Sequence, residues 1–223
     1  MYQKTTLKSK LRVITSHMPH TRSVSISIFI GTGSRYETEP EAGVSHFIEH
    51  LLFRGTGKRA AARDISAAIE GTGGILNGGT DRELTLYWCK VTKPNFELAL
   101  DVLTDIVLHS RFDPADIEKE RGIIIEEINM SKDSPSQQVN TLIDELLWPQ
   151  HPLGRDIAGS KESVVGITRE AILGYLGRQY LPDNTVIAIA GDIEHGEATT
   201  AVEKFMGRWE NGTPVNDLKV LKT

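Results

Sequence analysis

Pro40-Glu41-Ala42-Gly43-Val44-Ser45-His46-Phe47-Ile48-Glu49-His50-Leu51-Leu52-Phe53 predicts a helix. Pro40 suits the first helical position, Glu39 and Glu41 suit the positive end of the dipole, and Gly55 follows as a stop. With His46 at 0° and about 100° per residue, His50 falls near 40°, Glu49 near 300° and Phe53 near 340°. Val44, Phe47, Ile48, Leu51 and Leu52 occupy roughly 100–240°. The apolar arc faces one way, and two imidazoles and a carboxylate face the other. Histidines at i and i+4 can grip one tetrahedral cation through neutral ring nitrogens. Glu49 points into the same space and can take a proton from a water polarised by such an ion. A plain solvated helix face would carry the same pattern, so a third ligand has to decide.

The chain has 223 residues and a net charge of -5. That length suits one large domain or two small ones, with a sizeable core. The mildly acidic balance offers no basic footprint for nucleic acid. Cys89 is the single cysteine, which excludes an internal disulfide framework and fits a reducing compartment. The first residues lack the apolar core of a signal peptide, and no apolar run is long enough to span a membrane. These features lead to the expectation of a cytoplasmic protein with neither nucleic acid nor membrane as partner.

Outward from the central helix, Leu11–Met18 and Arg22–Ile30 predict strands, the second with a clear period of two. Alanine-rich residues 60–70 predict a helix closed by Gly71. Ile75-Leu76-Asn77 and Glu83–Val91 predict a hairpin, with Gly78-Gly79-Thr80-Asp81 as its turn. Its second strand is apolar on both faces and is expected to be central. Helices are expected from Pro94 to Leu108, from Asp113 to Met130, over Pro135–Leu147, and over Thr168–Tyr180 and Glu197–Trp209. Val186–Ala190 predicts a short buried strand, and residues 211–223 look like the start of a linker. Strands and helices mix without strict alternation. This favours an α+β fold with a mostly antiparallel mixed sheet flanked by helices.

The helix from Asp113 bears on the third ligand. With Glu120 at 0°, Ile117, Ile123, Ile124 and Ile128 lie between about 300° and 80°, and Glu127 lies at about 340°. Both acids sit inside the apolar arc. Glu126 lies outside it, as does Ile125. A carboxylate on a buried face is costly unless it is paired or bound to a metal. Pairing with Arg82 or Lys90 is the alternative to a ligand role.

Four stretches then agree in order with one family: GSRYETEPEAGVSHFIEHLLFRGT, ILNGGTDRE, IEKERGIIIEEI and HPLGRDIAGSKESV…YLPDNTVIAIAGDI. Over residues 5–210 the chain resembles the N-terminal half of the pitrilysin/mitochondrial-processing-peptidase-type zinc peptidases, whose inverzincin pattern is H-x-x-E-H. The resemblance implies a metallohydrolase fold of the kind shared with S-ribosylhomocysteine lyase. It implies zinc held by His46, His50 and Glu127, with Glu49 as general base. It further implies Glu120 as a supporting acid and Glu83 as a group orienting a histidine. Asn77 and Phe53 would lie near a peptide substrate added as a strand along a sheet edge. Such proteins carry a second homologous half that supplies an Arg and a Tyr to the substrate chamber. The expected partners are therefore the peptide and a second homologous domain or subunit, with homodimerisation as a substitute. Residues 1–210 would form the peptidase domain. Two other functions stay open: a lyase with Cys89 as ligand, and a non-catalytic scaffold of the same family. Cys89 lies in an apolar strand, where a free cysteine suits a core.

Overall fold

The structure, a computed structural model, describes residues 1–210. Strand β3 (Ser23–Ile30) buries Val24, Ile26, Ile28 and Ile30 completely and half-exposes the residues between them. That is the period of two in operation. Around it are β1 (Gln3–Thr6), β2 (Arg12–His17), β4 (Ile75–Thr80), β5 (Thr85–Thr92) and β6 (Thr185–Gly191). They form one sheet in the order β1-β2-β6-β3-β5-β4. Only β2 and β6 run parallel; the other neighbours are antiparallel. The fold is α+β, as expected.

The helices are α1 (Val44–Leu52), α2 (Ala62–Glu70), α3 (Phe96–His109), α4 (Pro114–Asp133), α5 (Pro135–Leu147), α6 (Lys161–Gly166), α7 (Arg169–Gln179) and α8 (His195–Met206). Helix α3 packs on β5 and β3, α8 on β2, and α1 on both β4 and α4. Phe47, Ile48, Leu51 and Leu52 of α1 are buried in the core, as the angular pattern requires.

Several expectations are corrected. β1 was not anticipated, because its sequence QKTT is exposed and has no apolar alternation. The short α6 was missed as well. β5 has a partner on both sides but lies next to the edge, with β4 outside it. The glycines of ILNGGT do not make the hairpin turn. β4 runs through them to Thr80, which pairs with Thr85. The reversal falls on residues 81–84, where the Asp81 N–H donates to the Leu84 carbonyl at 2.9 Å. The Asp81 carboxylate accepts from the Arg82 N–H at 2.7 Å and so holds the turn. Gly78 serves a different need. A Cβ there would lie 2.9 Å from Phe53 Cε2 and 3.3 Å from Glu49 Cγ, so glycine lets the strand press on α1. The linker expected over residues 211–223 lies outside the described residues.

The central helix also starts later than its sequence suggests. Glu39–Glu41 forms a separate single turn, and Gly43 breaks the run with φ at 93°. A Cβ at Gly43 would sit 2.4 Å from the Ala158 carbonyl. The first N–H groups of α1 are capped by Glu37, not by Glu39 or Glu41. Its two carboxylate oxygens accept from Gly43 and Ser45, each at 2.8 Å. Burial raises the Glu37 pKa, and these backbone donors oppose the rise. Gly43→Ala is expected to lose about 1–3 kcal/mol from backbone strain alone, with the clash added. Urea unfolding measures it, and an unchanged midpoint would refute this account of the turn.

Candidate metal centre

Helices α1 and α4 meet with their polar positions converging. His46, His50 and Glu127 each offer one atom, all within 4.8 Å of one another. Glu127 Oε2 lies 3.7 Å from His46 Nε2 and 3.5 Å from His50 Nε2. A tetrahedral ion with arms of about 2.0–2.2 Å needs donor atoms roughly 3.3–3.6 Å apart. The two separations to Glu127 lie within about 0.1 Å of that range, and all three donor atoms lie within 4.8 Å of one another, a donor set of the kind a zinc-sized cation takes. Glu126 is exposed and Glu127 is partly exposed, so the two glutamates differ in the expected sense, although Glu127 is not buried as its helix face implied.

The electrostatics suit ligands as well. Burial, with the neighbouring His50 ring second, pushes His46 down to about 4, so its ring is neutral at pH 7. His50 is fixed from behind. Its Nδ1 lies 3.1 Å from Glu120 Oε2. A carboxylate accepts only, so Nδ1 carries a proton, and in the neutral ring Nε2 is the nitrogen with a lone pair to present. Glu120 is fully buried, and its other oxygen is 2.6 Å from Arg54 Nε. That contact is an ion pair without hydrogen-bond alignment. Neither Arg82 nor Lys90 pairs with the α4 acids; Arg82 joins Asp144 of α5. His46 has no such support among the described residues, where its buried Nδ1 has no hydrogen-bond partner.

Glu49 is half-buried beside these groups and accepts from Thr80 Oγ1 at 3.0 Å. Burial raises its pKa, the Thr80 hydrogen bonds and His50 lower it, and Glu127 raises it. Phe53 packs beneath Gly78, with its ring 6.1 Å from that of Tyr87. Asn77 is exposed on the edge strand, where its side-chain oxygen accepts from the Gly78 N–H at 2.8 Å.

Glu83 requires correction. It is exposed, pairs with Arg35, and hydrogen-bonds to neither histidine. With the turn shifted to residues 81–84, Glu83 sits at its tip, and Glu120 orients the imidazole instead. Cys89 is buried in β5, with its thiol pushed up to about 12 by burial, and does not join the ligand cluster. Sequence reasoning missed Thr80, taken for a turn residue, along with Arg54 and Glu37. It also missed Tyr175, whose hydroxyl lies 2.9 Å from Ser45 Oγ on α1. The flanking glycines hid Thr80, Arg54 and Tyr175 act across long sequence separations, and Glu37 was passed over for Glu39 and Glu41, which lie nearer the expected helix start.

The fold thus brings two histidines and one glutamate together where α1 packs on α4. The profile of insulinase (peptidase family M16) matches residues 12–161, and that of the peptidase M16 inactive domain matches residues 166–222. The chain belongs to the M16 (insulinase/pitrilysin) family. An uncharacterized zinc protease of Mycobacterium leprae is 40% identical over 204 residues, which are 92% of this chain and 46% of that protein. The uncharacterized zinc protease YmxG of Bacillus subtilis is 37% identical over 210 residues, 94% of this chain and 51% of that one. Among solved structures, a protease from Helicobacter pylori superposes with a TM-score of 0.92 at 21% identity, covering 98% of this chain and 54% of the other. An M16-like peptidase from Alicyclobacillus acidocaldarius gives 0.86 at 26% identity, covering 96% and 51%. The chain thus spans about half the length of these relatives. No helix among the described residues is long and apolar enough to cross a membrane.

Proposed function

We propose that the chain is the zinc-binding half of an endopeptidase that hydrolyses peptides or unfolded segments. The observation that carries this is the convergence of His46, His50 and Glu127 with Glu49 beside them. Zinc, held by the first three, would lower the pKa of a water to about 7 and polarise the scissile carbonyl. Glu49 then takes the proton of the attacking water and returns it to the leaving nitrogen. Glu120 keeps His50 in the tautomer a ligand needs, and Arg54 balances the buried charge of Glu120. The outer edge of β4, unpaired among the described residues, would receive the peptide as an added strand near Asn77 and Phe53. A lyase with a cysteine ligand is disfavoured by the buried position of Cys89. A non-catalytic scaffold is disfavoured by the complete set of ligands and base. The direct test is metal content by emission spectroscopy, with chelation expected to abolish cleavage and added Zn2+ to restore it.

The relatives' greater length supports a second half as partner. Helix α5 turns Val139, Leu142, Ile143, Leu146 and Leu147 to solvent, an apolar face of the kind that marks an interaction site. We assign that face to the second half, either continuous with this chain or supplied as a subunit. Residues 1–223 alone are expected to fold and load zinc but to self-associate. They should cleave an unstructured peptide about 10²-fold or more slowly than the two halves together, because a half-chamber does not position the substrate. Equal turnover at equal zinc occupancy would mean that this half is a complete enzyme.

A further inference from the structure

We propose that Thr80 is a positioning residue that holds Glu49 in the orientation from which it moves the proton. This deepens the peptidase function above and rests on it. Thr80 ends β4 and is held there by its pairing with Thr85. Its hydroxyl donates to Glu49 Oε2 at 3.0 Å. Because a carboxylate only accepts, the hydroxyl proton is committed to Glu49. Threonine is β-branched and stiff at χ1, so its hydroxyl is a fixed point, whereas Glu49 is a long side chain with several rotatable bonds. Gly78, two residues earlier, allows the strand to lie close against Glu49 Cγ. The Thr80 backbone N–H adds to the hold on the same carboxylate. The strand that presents Thr80 is also the edge strand that exposes Asn77. A peptide seated on β4 therefore meets a base whose orientation is set from the same six residues.

The test compares Thr80→Val, Thr80→Ser and Glu49→Gln with wild type, with the second half present, on an unstructured fluorogenic peptide. Valine keeps the shape, the β propensity and the backbone N–H, and removes only the hydroxyl. Thr80→Val is expected to lower kcat about 10–100-fold, the usual effect of losing an outer hydrogen-bonding partner. KM and zinc content should stay at wild-type values, and Thr80→Ser should recover most of kcat. A wild-type kcat for Thr80→Val beside an inactive Glu49→Gln would overturn the role of Thr80 and leave the peptidase function standing. Loss of zinc, a raised KM, or no recovery in Thr80→Ser would also overturn it, because each marks general structural damage. Full activity in Glu49→Gln would overturn the peptidase function itself, and the role of Thr80 with it.

Discussion

Glu49→Gln is expected to retain a full complement of zinc while losing about 10²–10⁴-fold in kcat, the range for removing a general base. Glu49 stands beside the three converging donors, and its carboxylate is engaged by Thr80 rather than directed at a ligand position. Glutamine keeps the size and can still accept from Thr80, but it cannot carry a proton at neutral pH. The metal measurement separates two roles that activity alone confuses. Loss of zinc together with activity would make Glu49 a ligand, and the chemistry assigned to it would be wrong.

The second large effect separates two adjacent glutamates. Glu127→Gln is expected to weaken zinc binding by more than the roughly 10–100-fold that loss of an outer-sphere partner costs. Glu126→Gln should leave zinc binding near wild type. Glu127 Oε2 faces both imidazoles at 3.7 and 3.5 Å, whereas Glu126 is exposed and touches the Asn129 amide at 3.5 Å. Competition with a chromogenic chelator measures both affinities in residues 1–223. Equal losses, or a larger loss in Glu126→Gln, would remove Glu127 from the site.

The parts of the site carried on single helices were legible in the sequence. The i, i+4 spacing of His46 and His50, and the helix face shared by Glu120 and Glu127, follow from one angle per residue. The strands with clean alternation, β3 above all, were legible for the same kind of reason. What could not be read depends on contacts between distant segments. Arg54 meets Glu120, and Tyr175 reaches Ser45, only once the chain has folded. The glycines at 78 and 79 carry a local turn signal that tertiary packing overrides, because α1 needs the strand close. That override displaced the expected turn and, with it, the role expected of Glu83. Gly43 was hidden inside an apparently continuous amphipathic run, where its positive φ left no trace in the pattern.

The position of β6 governs when this site can come into being. β6 is the last strand in chain order among the described residues, yet it lies in the middle of the sheet, hydrogen-bonded to β2 on one side and to β3 on the other. A nascent chain that has emerged through α5 already holds His46, His50 and Glu127. It still carries two bare strand edges where β6 belongs, the arrangement most open to wrong pairing with other chains. The closing contacts join residues 12–17 to residues 186–191, and such distant pairings form slowly. The ligand helices are thus complete well before the sheet that carries them. The candidate cluster of His46, His50 and Glu127 sits on a sheet completed by a strand that contributes no atom to it.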